Sequence, residues 1–137
     1  MAKRTGGPPV VIDSSAWIDF LRGAGSPAAR ETGRLLRSGR ARLTGVVLAE
    51  LLQGAPEEEE RVELAEALRG VEFLPVEREG YERAGMVGAQ LRARGETIPT
   101  SDLIVAAAAL ARGWAILTTD AHFDRVPGLR LHRPGER

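Results

Sequence analysis

Four short apolar runs, "VVI" from Val10, "ARLTGVV" from Ala41, "VEFLPV" from Val71 and "WAILTT" from Trp114, alternate with longer stretches that keep a helical period. Runs this short, bracketed by helices, read as buried strands. A parallel neighbour can be reached only through a crossover, so strands alternating with helices imply a parallel sheet with helices on both faces. A fifth run, "LRLH" from Leu129, reads as a closing strand. The expectation is an α/β chain, a three-layer α/β/α sandwich around a parallel sheet of about five strands.

The helical stretches carry their own start and stop signals. Ser14 or Ser15 reads as the N-cap of a short helix through Leu21, stopped at Gly23. Pro27 to Arg37 has proline in its first turn and Gly39 beyond its end. "VVLAELLQG" reads as a helix ending at Gly54, and Pro56 opens another whose "EEEE" puts negative charge at the favourable end of the helix dipole. Tyr81, Ala84, Val87, Gly88 and Leu91 share a 3.6-residue stripe expected to face the sheet. "SDLIVAAAALARG" is apolar nearly all round and therefore buried. The 137 residues suit one domain with a single core, with loose tails over residues 1–8 and 134–137.

Composition narrows the chemistry. There is no cysteine, which removes disulfides, thiolate metal sites and cysteine nucleophiles together. No run reaches the length of a membrane span and "MAKRTGGPP" lacks a signal-peptide apolar region, so a cytoplasmic protein is expected. The 19 basic and 19 acidic side chains balance, so a polyanion partner needs a local patch rather than a global field.

Four acids stand where the pattern does not call for them. In open parallel sheets ligands sit at the carboxyl ends of the strands. Asp13 follows the first strand and Asp120 follows "AILTT", which puts both on that rim. Glu50 interrupts the apolar "VVLAELLQG", and Asp102 opens the buried alanine-rich helix. Each also has a purely structural reading: Asp13 and Asp120 as turn caps, Asp102 as a cap or first-turn acid, Glu50 as an arginine's partner. If the four converge, each like-charged pair at about 4 Å costs roughly 4 kcal/mol at an effective dielectric of 20. Lys3 is the sole lysine, so a hard divalent cation, Mg²⁺ or Mn²⁺, is the economical counter-charge, and metal-assisted phosphoester hydrolysis the implied chemistry.

"VVIDSSAWIDFLRG", "VVLAELLQG", "IPTSDLIVAAAAL" and "AILTTDAHFDRV" closely resemble, in order and spacing, the four signature stretches of the PIN-domain ribonucleases, in particular the VapC-type toxins of toxin-antitoxin pairs. The resemblance covers nearly the whole chain and implies a single PIN domain over residues 1–137. It further implies that Asp13, Glu50, Asp102 and Asp120 bind one or two Mg²⁺ or Mn²⁺ ions and that water attacks an RNA phosphodiester in line. The implied partners are a VapB-type antitoxin that covers the site and a second copy of the chain in a homodimer. Many relatives carry an aspartate two residues after the fourth acid, where this chain has His122.

Supporting roles are assigned to Ser14 and Thr118, and Asp124 stands as either an auxiliary ligand or a surface acid. His122 reads as a proton shuttle or as a loop histidine. Trp17 either stacks a base or packs with Leu21, and Arg22 near the mouth is placed to touch phosphate. Two other classes compete. One is a PIN nuclease of RNA processing or decay outside toxin-antitoxin pairs. The other is a receiver-like phosphoacceptor domain, which needs a lysine after a late strand that this chain does not have.

Overall fold

The computed structural model describes residues 6–134 and contains a four-stranded, all-parallel sheet in the order β3-β2-β1-β4. The strands are β1 (Val10–Ile12), β2 (Ala41–Thr44), β3 (Phe73–Leu74) and β4 (Ala115–Leu117). Between them run α1 (Ser14–Leu21), α2 (Pro27–Arg37), α3 (Gly45–Gly54), α4 (Glu58–Leu68), α5 (Arg78–Ala93) and α6 (Thr100–Arg112). Every crossover therefore contains two helices, and the expected α/β architecture of a parallel sheet flanked by helices is what the chain adopts.

The core forms where these layers meet. All of β1 and β2 is buried, together with Trp17, Leu35, Val47, Leu91, Phe123 and the inward face of α6 from Leu103 to Ala109. Small side chains let α6 lie close to β1 and β4. At its far end Gly113 terminates the helix in the left-handed region, φ 69°.

Three expectations are corrected. The sheet has four strands rather than about five, because "LRLH" contributes only an isolated parallel bridge between Leu131 and Ile116. That segment is confined between the turn at Gly128 and Pro134, which has no N–H to continue a ladder. Strand β3 shrinks to two residues for a similar reason, since Pro75 follows it. The stripe on α5 meets α6 rather than the sheet: Ala84 and Leu91 are buried, a side chain at Gly88 would collide with Leu103, and Tyr81 is exposed.

Of the expected tails, residues 1–5 and 135–137 lie outside the described residues. Pro8 is tied down, its carbonyl accepting a hydrogen bond from Arg40 Nε at 2.9 Å.

The strand order decides where a ligand can sit. From β1 the chain steps outward to β2 and β3, then returns to place β4 on the other side of β1. The crossovers diverge above the gap between β1 and β4, which opens a crevice at their carboxyl ends. Because nothing lies within 4 Å of a side chain built at Gly113, Gly113→Ala isolates the backbone strain. It is expected to lose about 1 kcal/mol of stability in urea titrations.

Candidate active site

Asp13 and Asp120 leave β1 and β4 at that crevice, and each begins by capping the turn that follows it. Asp13 is the N-cap of α1, its Oδ2 accepting from Ser15 N–H at 3.4 Å. Asp120 caps the 3₁₀ turn Ala121–Arg125 through Oδ1, which accepts from His122 N–H at 3.0 Å. The N-cap of α1 is thus Asp13, not Ser14 or Ser15.

Asp13 is 2% exposed, and its two oxygens have different fates. Oδ2 also accepts from the hydroxyls of Ser15 and Thr118, both at 2.9 Å. Those hydroxyls in turn accept backbone N–H groups, Ser15 from Thr119 at 3.0 Å and Thr118 from Asp120 at 2.9 Å. The start of α1 is thereby clipped to the end of β4, and Asp13 N–H adds a bond to Leu117 O at 2.9 Å. Oδ1, in contrast, is buried with no protein partner.

Glu50 and Asp102 come from the helices. Helix α3 packs against both α1 and α6, which carries Glu50 between Asp13 and the start of α6. Burial raises the Glu50 pKa, and Asp13 and Asp102 raise it further, against hydrogen bonds from the Ser14 and Ser101 hydroxyls that favour the charged form. Asp102 occupies the first turn of α6. Burial raises its pKa as well, the His122 hydrogen bond opposes this, and the charges of Asp13 and Asp120 add to it.

Of the four acids predicted from sequence, Glu50 lies within electrostatic reach of Asp13 and Asp102, and Asp102 within reach of Asp13 and Asp120. His122 Nδ1 sits 3.0 Å from Asp102 Oδ2 and 3.2 Å from Asp120 Oδ1, and one donor atom from each of these three residues lies within 4.8 Å of the others.

The remaining sequence candidates divide. Thr118 holds Asp13, and Ser14 lies near enough to Glu50 to favour its charged form. Asp124 lies exposed on the 3₁₀ turn, outside the Asp102–Asp120–His122 group. Trp17 is core, packed edge-on against Phe20 at 6.2 Å rather than beside Leu21, which is exposed. Arg22 borders a cleft of about 650 Å³ that starts at Glu50 and runs between α1, α3 and α4, walled by Ile18, Leu21 and Leu64 and edged by Glu60 and Glu63. Ser15 was not singled out for the site. The Asp-x-Ser spacing was its available signal, since an aspartate that caps the residue two places on brings that residue's hydroxyl against its own carboxylate.

A buried carboxylate oxygen without a donor, next to further acids whose protons are held more tightly than usual, is the donor chemistry of a hard divalent cation. The residues present fit such an ion.

The PIN domain family model matches residues 10–129. The chain belongs to the PIN-domain family. It is 33% identical to Ribonuclease VapC11 of Mycobacterium tuberculosis over 119 residues, which cover 84% of this chain and 89% of that protein. VapC ribonuclease Mb1587 of Mycobacterium bovis matches to the same extent. In fold the chain is similar to the DNA-bound VapBC of Salmonella typhimurium, with a TM-score of 0.77 at 21% identity over 92% of this chain and 98% of that one. It is also similar to VapC20 of Mycobacterium tuberculosis, described as a sarcin-ricin loop cleaving toxin, with a TM-score of 0.66 at 23% identity over 91% of this chain and 99% of that one.

Two outcomes follow from this geometry. Ser15→Ala and Thr118→Val each remove a donor from a buried carboxylate and are expected to cost about 1.5–3 kcal/mol in denaturant titrations. Glu50 holds its proton more tightly folded than unfolded, so in chelator its contribution falls as pH rises from the ordinary carboxylate range through its raised folded pKa. Glu50→Gln should therefore raise the melting temperature of the metal-free protein at neutral pH. The gain should vanish below about pH 4, where the wild-type carboxyl is protonated in both states.

Proposed function

We propose that this protein is a metal-dependent endoribonuclease toxin that hydrolyses RNA phosphodiester bonds and is held inactive by a cognate antitoxin. The observation that carries the chemistry is the unpartnered, buried Oδ1 of Asp13 at the mouth of the β1/β4 crevice, within electrostatic reach of Glu50 and Asp102, the latter beside Asp120. The similarity to VapC ribonucleases supports the substrate class.

In this reading Asp13, Glu50, Asp102 and Asp120 hold Mg²⁺ or Mn²⁺. The bound ion supplies positive charge that makes an attacking water more acidic and stabilises the charge developing on the phosphate. The chain's own groups fix where this happens. Ser15 and Thr118 lock Asp13 against rotation, so Oδ1 rather than Oδ2 is the oxygen offered. Ser14 and Ser101 beside Glu50 favour its charged form, and Arg22, at the edge of the same cleft, is positioned to meet a phosphate of the RNA.

The antitoxin belongs to the same proposal. VapBC complexes share this fold. Here the cleft leading away from Glu50 has apolar walls and an acidic edge, which suits an amphipathic segment carrying a basic side chain toward the carboxylates. The chain would act as a homodimer in the cytoplasm. No helix among the described residues is long and apolar enough to cross a membrane.

Asp13→Asn and Asp102→Asn are expected to lower RNA cleavage by at least about a hundredfold while the protein remains folded. The check is to induce each form in a bacterial host and map new RNA 5′ ends. Discrete ends should appear with the parent and disappear with either variant. Equal cleavage by parent and variants would remove the acids from the mechanism.

A further inference from the structure

We propose that His122 is itself a metal ligand, its Nδ1 joining Asp102 and Asp120, and that it biases the centre toward Mn²⁺ over Mg²⁺. The proposal rests on the reading above that these acids hold a divalent cation, and it concerns a residue that the acidic signature does not include.

The first support is how the ring is placed. Asp120 Oδ1 fixes the His122 backbone N–H, so the first residues of the 3₁₀ turn curl back over the carboxylate that caps them. The imidazole is carried inward as a result, and Nδ1 comes to lie between two carboxylate oxygens at 3.0 and 3.2 Å.

The second support is the spacing itself. Adjacent ligands on an octahedral ion with bonds of about 2.1–2.2 Å are separated by √2 times that length, roughly 3.0–3.1 Å. A hydrogen bond has the same length, but an imidazole Nδ1 carries only one hydrogen or one lone pair. It can donate well to one carboxylate, not to two. Asp120 Oδ1, already held by the His122 backbone N–H, and Asp102 Oδ2 both lie beside Nδ1, so with the ring hydrogen on Nε2 the Nδ1 lone pair and the two carboxylates can face one cation.

The preference for Mn²⁺ follows from donor type. Mg²⁺ is bound through oxygen and keeps its waters, whereas a neutral imidazole is a good donor to first-row transition ions. Replacing a carboxylate by an imidazole also removes a negative charge from the ligand set, which weakens the electrostatic hold on Mg²⁺ most. No other nitrogen ligand competes. The chain has no cysteine and two histidines, and His132 is buried in a pair with Glu31, its Nε2 2.5 Å from the Glu31 carboxylate.

The test uses the full-length chain without RNA. Mn²⁺ is added to the wild-type protein and to His122→Asp, pulsed electron paramagnetic resonance reads imidazole nitrogen coupled to the ion, and calorimetric titrations give Mn²⁺ and Mg²⁺ affinities. The wild type should show coupling to one imidazole nitrogen, absent in His122→Asp, and the ratio of Mn²⁺ to Mg²⁺ affinity should fall at least about tenfold in the variant. Mn²⁺ bound to the wild type with no nitrogen coupling, and an unchanged ratio, would overturn the role of His122 and leave the acidic site standing. Failure of the wild type to bind either ion at millimolar concentration would overturn both. The wild-type spectrum alone decides the ligation, so a poorly folded variant does not blunt the test.

Discussion

Repulsion among carboxylates is the constraint around which the rest of this structure is organised. Asp13, Glu50, Asp102 and Asp120 arrive from two strand ends and two helices; the charges of Asp13 and Asp102 add to the raised pKa of Glu50, and those of Asp13 and Asp120 to that of Asp102. Like charges gathered in one partly buried crevice work against a total stability of about 5–15 kcal/mol. The fold must therefore hold these groups in place by force of packing. Helix α6 supplies much of it, its alanine face seated on β1 and β4, and α3 wedges Glu50 between α1 and α6.

The same constraint explains the hydrogen bonds around Asp13. Three donors from Ser15 and Thr118 converge on Oδ2 and none on Oδ1. Half of this buried carboxylate is secured and the other half has no protein donor. Capping and the proposed ligation are thus not rival roles. Asp13 and Asp120 each cap a turn through one oxygen, and the cap is what fixes the direction of the carboxylate.

Much of this was legible in the chain. Short buried strands between helices dictate a parallel sheet, and acids directly after strand runs or inside apolar helices mark the crevice, because water-exposed positions would carry them without disturbing the pattern. The edges were less legible, since pairing at an edge depends on one partner only. "LRLH" looks like a strand but is cut short by Gly128 and Pro134, and "VEFLPV" loses its ladder at Pro75. Tyr81 keeps the stripe's period while remaining exposed, because two helices rather than a helix and a sheet meet there. The placing of Ser15, and of His122 beyond its reading as a proton shuttle or a loop histidine, was hidden for another reason. Their contacts span long sequence separations, 103 residues from Ser15 to Thr118 and 20 from His122 to Asp102, and depend on side-chain direction that spacing alone does not encode.

The central claim is that these acids exist to surround a cation. The most direct measurement is anomalous diffraction at the manganese edge from crystals grown with Mn²⁺. The account predicts a peak in the β1/β4 crevice, in contact with Asp13 Oδ1 and Asp102. A crevice without a peak at saturating Mn²⁺, with Asp13 Oδ1 instead hydrogen-bonded to a protonated Glu50 or Asp102, would contradict it.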